Sequence, residues 1–235
     1  MAAALLAACQ GPATHPAGAA TVPPAATATA VPPCPPDAGP MDGWDDRAPP
    51  RKIFGNTYYV GTCGIASILV VGTQGSILID GATERAPLLI EANLRALGFE
   101  PREVKLLLNS HEHGDHAGGL AQLQRDSGAP LLARVPAVEA LRRGAGDRTD
   151  PQFAQLPRFP PVAVVRPLRD GEAVRLGDLA LVAHATPGHA PGGTSWSWRS
   201  CEGTRCLDLA YVDSHTAISD DHYRFIDHPD AVAAF

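Results

Sequence analysis

Four side chains able to bind a metal fall within six residues, His111, His113, Asp115 and His116, in the stretch LLLNSHEHGDHAGGL. Neutral imidazoles suit zinc, and a carboxylate adds a harder anionic donor. In extended chain a one-residue skip turns His111 and His113 to the same side. Asp115 and His116 follow where the chain must turn, so they can face a second point nearby. One short loop can therefore serve two adjacent metal ions, the alternative being a solvated polar loop. Histidine is scarce, 9 of 235 residues, which makes the clustering informative.

The elements around this loop read clearly. Val104 to Leu108 is an apolar run of strand length. Ala117 to Gln124 reads as the start of a helix, and Gly118 and Gly119 permit close backbone approach. The ligand loop thus joins the C-terminal end of a strand to a helix, where open α/β layers place their chemistry. Strands are expected over Lys52 to Val60, Gly64 to Gly72 and Ser76 to Asp80. A helix is expected over Glu84 to Leu97, with Leu88, Leu89, Ala92, Leu94 and Leu97 on its apolar face. A short strand, Pro130 to Arg134, and a short helix, Ala137 to Arg143, come next. Gly144 to Pro161 has no periodicity, and a loop of that length is usually functional or mobile. Strands follow over Val162 to Arg166, Glu172 to Leu176, Leu179 to His184, Thr194 to Ser200 and Leu207 to Val212. Trp196 and Trp198 share one face of theirs and read as core. This order suits two mixed sheets packed face to face with helices outside.

The pattern His111-x-His113-x-Asp115-His116, the stretch from Thr186 to Thr194 (TPGHAPGGT) and the segment SWSWRSCEGTRCLDLAYVDS, Ser195 to Ser214, resemble the metallo-β-lactamase superfamily. Within it they resemble the third subclass of class B β-lactamases, and the resemblance runs from about Cys34 to Phe235. It implies an αββα sandwich with metals at one edge between the sheets. It implies His111, His113 and His189 at a first zinc, and Asp115 and His116 at a second, with Asp115 also counted as catalytic. It places Asp80 behind the metal site as a hydrogen-bonding support, where the residues alone allow an ordinary strand-end turn. Ser214 and Thr216 are implied at the drug's carboxylate or a zinc-bound water. Gln152 and Phe153 are candidates to line the substrate cleft. The implied activity is hydrolysis of the β-lactam amide bond by a metal-bound hydroxide. A thioesterase resembling glyoxalase II and an inactive single-zinc remnant are the alternatives. In the family a further helix–strand unit brings one more histidine to the second zinc, so the chain is expected to lack that unit and one ligand of the second site. His184, His222 and His228 align with no ligand.

The totals agree with one domain and a tail, residues 51–235 and 1–50. A net charge of −6 leaves no electrostatic footprint for nucleic acid, so the expected partner is a small β-lactam bound by a monomer. No apolar run reaches membrane-spanning length. Leu6-Ala7-Ala8-Cys9 resembles a bacterial lipobox, although a basic leader segment is missing, and Cys9 is the lipidation candidate. Gly11 to Pro40 reads as a disordered Ala/Pro/Thr-rich tether. Of the remaining cysteines, Cys201 and Cys206 can close a small loop and Cys34 can pin the tail against Cys63; four reduced thiols are the alternative. A zinc set is disfavoured by the absence of paired C-x-x-C spacing. Two disulfides imply an oxidising compartment, and the resemblance implies the same pairs and a bacterial periplasm.

Overall fold

The computed structural model describes residues 31–234. The lipobox-like segment with Cys9, most of the tether and His15 lie outside the described residues.

Seven strands form one mixed sheet in chain order: β1 (Arg51–Phe54), β2 (Thr57–Tyr59), β3 (Ile68–Gly72), β4 (Gly75–Ile79), β5 (Val104–Leu108), β6 (Leu131–Arg134) and β7 (Val165–Leu168). The first four pair antiparallel through short turns, and β4 to β7 pair parallel through helical crossovers. A second sheet holds β8 (Ala173–Leu176), β9 (Leu179–Ala185), β10 (Thr194–Glu202) and β11 (Arg205–Tyr211), in the order β11-β10-β9-β8. This second sheet is antiparallel throughout, not mixed as expected, because consecutive strands meet at short connections. Cys201 and Cys206 face each other beside one of the two-residue turns, around Gly203.

Strand alternation in the first sheet supplies two cores. Leu69, Leu78, Leu107 and Leu131 point to one side. They meet Ile90 and Leu94 of α1 (Pro87–Ala96), Leu120 and Leu123 of α3 (Leu120–Ser127) and Leu141 of α4 (Val135–Arg143). Ile68, Val70, Ile77, Ile79 and Leu108 point to the other side, against Leu181, Ala183, Trp196 and Trp198 of the second sheet. Helices, sheet and sheet thus stack as layers. The last helix, α5 (Pro229–Ala234), packs on the 3-10 turn Phe225–Asp227. Among the described residues, no helix is long and apolar enough to cross a membrane.

Several local expectations shift: the strand expected over Gly64 to Gly72 starts at Ile68, and that expected over Val162 to Arg166 runs Val165–Leu168. The strand expected over Lys52 to Val60 is a hairpin broken at Gly55 (φ +55°), where an added Cβ would lie 2.3 Å from Ser200 Oγ. Helix α1 starts at Pro87 and buries Ile90, Glu91, Asn93 and Leu94, leaving Leu88 exposed. Asn93 lies on the inner face because its amide donates to the carbonyls of Val60 and Gly61. The body also reaches back before Arg51. Cys34 is bonded to Cys63, Ala48 is buried, and Arg47 donates to Asn93 Oδ1 at 2.6 Å and to Ala92 O at 2.9 Å.

Candidate metal centre

Strand β5 ends at Leu108, and its extension carries Asn109 to His113 before α2 (Gly114–Ala117) begins with His113 as its N-cap. Gly118 and Gly119 let this turn lie directly on the one after β4. A Cβ on Gly119 would sit 2.2 Å from Gly81 O, and one on Gly118 would sit 2.6 Å from Glu84 N. The β4 turn is itself strained, with Asp80 at φ 63° and Ala82 at φ 52°. Such backbone persists where its surroundings over-determine it, and the surroundings of Asp80 do so. Its buried carboxylate accepts from Ser110 N–H (2.7 Å), Ser110 Oγ (2.6 Å), His116 Nδ1 (2.9 Å) and Tyr211 OH (2.9 Å).

His111, His113 and His189 converge, with ring centroids 4.7–5.0 Å apart. Their candidate ligand atoms lie within 4.8 Å of one another, and so do those of His111, Asp115 and His116. The two groups share His111, and His116 Nε2 lies 3.6 Å from Asp115 Oδ2. In every ring one nitrogen is held from outside. His111 Nδ1 pairs with Asp213 Oδ1 (2.8 Å), and His113 Nε2 donates to Asp150 Oδ2 (2.8 Å). His116 Nδ1 donates to Asp80, and His189 Nδ1 donates to Thr216 O (3.0 Å). The other nitrogen of each ring is left for the centre. That is the arrangement by which ligating histidines are oriented, a carboxylate or carbonyl fixing the far nitrogen. His111 Nε2 is fully buried and has no hydrogen-bond partner, a costly position for a bare lone pair unless a cation accepts it. The donor set fits zinc: three imidazoles at one point, and a carboxylate with an imidazole at the next.

The electrostatics separate the two points. Burial holds His111 well below the usual histidine range, and the neighbouring His116, His113 and His189 push it the same way. Burial also lowers His189, against the opposing hydrogen bond to Thr216. Burial pulls His116 down too, but the hydrogen bond and charge of Asp80, with Asp115 and Asp213, outweigh it and carry the group up to about 9. Asp213, whose Oδ1 lies 2.8 Å from His111 Nδ1, is pushed up to about 8, chiefly by burial.

Of the other expected residues, Gln152 reaches the centre, its Nε2 lying 3.4 Å from His189 Nε2. Phe153 instead lines a cavity of about 370 Å³ with Arg148, Asp220 and Tyr223. Both oxygens of Thr216, expected at the substrate, lie on His189 Nδ1 (3.0 and 3.1 Å), so here the residue orients a histidine. Ser214 is half-buried beside Asp213. Asp80 stands behind His116. His184 bonds Ser197 Oγ on an exposed face, His228 stacks on Tyr223, and His222 lines the Phe153 cavity. None of the three joins a metal-capable group among the described residues. Both cysteine pairs are bonded, Cys34 to Cys63 and Cys201 to Cys206.

Sequence reasoning missed Asp150, Asp213 as a histidine partner, Tyr211 and Ser110. Ser110 and Asp213 adjoin residues already singled out, and that adjacency was the available signal. Nothing in the loop around Asp150 marks it.

The family model described as the metallo-beta-lactamase superfamily matches residues 60–222. MIM-1 from Novosphingobium pentaromativorans is a similar solved structure, with TM-score 0.83 and 49% identity, covering 88% of this chain and 75% of that one. The metallo-beta-lactamase SMB-1 bound to 2-mercaptoethanesulfonate aligns with TM-score 0.79 and 49% identity, covering 81% and 74%. BJP-1 of Bradyrhizobium japonicum, a subclass B3 metallo-beta-lactamase, aligns with TM-score 0.73 and 36% identity, covering 83% and 74%. Among curated proteins, a hydroxyacylglutathione hydrolase of Methylococcus capsulatus is 29% identical over 119 residues, 51% of this chain and 39% of the relative. A ribonuclease of Thermus thermophilus is 33% identical over 139 residues, 55% of this chain and 30% of that protein. The matches thus span less than half the length of these curated relatives. With a matched segment covering most of the chain and with these solved relatives, the chain belongs to the metallo-beta-lactamase superfamily.

Proposed function

We propose that this protein is a zinc-dependent β-lactamase of the B3 type. His111, His113 and His189 hold the first zinc, and Asp115 and His116 contribute to the second. Bound zinc supplies a Lewis acid and a nucleophile that is active near neutral pH. The chain's own residues do the rest. Asp213, Asp150, Asp80 and Thr216 fix the rings so that one nitrogen of each faces the centre. The buried carboxylates of Asp213, Asp150 and Asp80 also offset the charge of the cations. Gln152 lies at the rim beside His189, and Ser214 places a hydroxyl near the substrate carboxylate. Asp115 carries the catalytic carboxylate of the second point. The two disulfides support export to an oxidising compartment, the bacterial periplasm.

One observation carries the choice of substrate class. A thioesterase resembling glyoxalase II needs an aspartate bridging the metals from the end of the strand that here is β11. Here Ser214 stands at that position, and the adjacent Asp213 is fully buried against the outer nitrogen of His111. The solved lactamase relatives are also the more similar, at 36–49% identity. The test is hydrolysis of a chromogenic cephalosporin and of a glutathione thioester, before and after chelation and with zinc restored. Zinc-dependent cephalosporin turnover is expected. Thioester turnover alone, or cephalosporin turnover that survives chelation, rejects the reading.

A further inference from the structure

We propose that Glu112 and Arg134 are positioning residues that clamp the Gly192–Gly193 segment and so set His189 against His111 and His113. The inference rests on the zinc reading above and deepens it, since neither residue is placed among the ligands.

Glu112 lies between two ligands of the motif. Strand-like alternation turns it away from the side His111 and His113 share. It is 2% exposed, and although Arg134 is near enough for its charge to be felt, no direct ion pair to Glu112 forms among the described residues. Its Oε1 accepts the Gly192 N–H at 2.9 Å, across a sequence separation of 80, and its Oε2 has no hydrogen-bond partner. A buried acid with one unsatisfied oxygen is costly, so its single bond to the His189 loop is the feature to explain. From the other side, Arg134, at the end of β6, donates Nη1–H to Gly193 O at 2.6 Å. Hydrogen bonds with a charged partner are the stronger kind. The same carbonyl accepts from Thr186 N–H at 2.9 Å, and Thr194 N–H donates to Ser110 O at 2.7 Å, which closes the loop that carries His189. Gly192 is required for the approach, because an added Cβ would lie 2.3 Å from Glu112 Oε2 and 2.5 Å from Ala137 Cβ. The ligand loop after β5 is thereby joined to the ligand loop before β10. His189, which no residue of the His111–His116 motif contacts by hydrogen bond, takes its position from this joint and from Thr216.

The test is zinc affinity of the full chain, by competition with a chromophoric chelator, together with the visible spectrum of the cobalt-substituted protein. Glu112→Ala should weaken the tighter zinc about 10-fold and alter the cobalt spectrum. Glu112→Gln keeps an acceptor for Gly192 N–H and should stay within about 3-fold of the parent. Arg134→Met keeps the packed stem, loses the donor and should weaken zinc in the same direction as Glu112→Ala. If Glu112→Ala does not fold, the other two variants decide. Parental affinity in Glu112→Ala or Arg134→Met, or a loss in Glu112→Gln equal to that in Arg134→Met, overturns the clamp. A parent chain that binds no zinc overturns the zinc reading itself, and the inference with it.

Discussion

At the residue scale, each histidine of the centre depends on a partner distant in sequence. Asp150 is 37 residues from His113, and Asp213 is 102 from His111. The donor atoms were legible because their chemistry and spacing are local, four ligands in one turn and a fifth after Pro-Gly. The partners were not, because a lone aspartate in an aperiodic loop looks like any solvated aspartate until the chain folds. Asp150 is nonetheless buried, and its second oxygen accepts Gln152 N–H at 2.8 Å. One residue therefore orients His113 and the backbone of the rim residue Gln152. Asp150→Asn keeps the volume and removes the anion behind His113. It should lower zinc affinity about 10- to 100-fold, read by equilibrium dialysis against metal buffers. An affinity within 2-fold of the parent would show that the carboxylate does not tune the ligand.

At the element scale, most strands and helices stand where alternation and apolar runs placed them, and the errors share a cause. Helix α1 turns Asn93 inward because tertiary partners wait there, the carbonyls of Val60 and Gly61, and Glu91 is buried on the same side with Arg95, one turn on in the same helix, donating to its Oε2. A polar residue with a buried partner is invisible to apolar periodicity. Glu91 remains imperfectly satisfied, since Oε1 has no partner. Its pKa is raised, first by burial and then by Asp126. A carboxyl raised in the folded state binds more protons folded than unfolded, so its contribution to stability is full below the unfolded value and declines as pH rises through the folded one. Glu91→Gln should therefore gain stability relative to the parent as pH goes from 4 to 8, measured by urea unfolding at both. A gain that is equal at both pH values, or larger at pH 4, would contradict this. The disulfides rank by the loops they close. Cys34–Cys63 spans 29 residues and Cys201–Cys206 spans 5. Chain entropy then gives about 3.6 and about 2 kcal/mol respectively. Serine pairs at Cys34 and Cys63 should cost more in urea unfolding than serine pairs at Cys201 and Cys206, and the reverse order would refute the entropic ranking.

At the scale of the whole molecule, the centre is a joint between layers. His111, His113 and His116 come from the end of the seven-stranded sheet. His189 and the partners Asp213 and Thr216 come from the connections that enter and leave β10 and β11 of the four-stranded sheet. Between the sheets lie Trp196 and Trp198, both buried, with Trp196 Nε1 donating to Asn109 O just before the ligand loop. A cation held by both sides must be released before the sheets can part, so its binding free energy adds to the stability of the whole sandwich and not to one loop. At free zinc about 100 times the dissociation constant, that linkage is worth about 2.7 kcal/mol. For a domain of this size it corresponds to a rise of roughly 5–10 °C in Tm. Thermal melts with and without chelator, followed by far-UV circular dichroism and by tryptophan fluorescence, should move together by that amount. If fluorescence moves and circular dichroism does not, zinc orders only the ligand loops, and the two sheets are held together by their apolar faces alone.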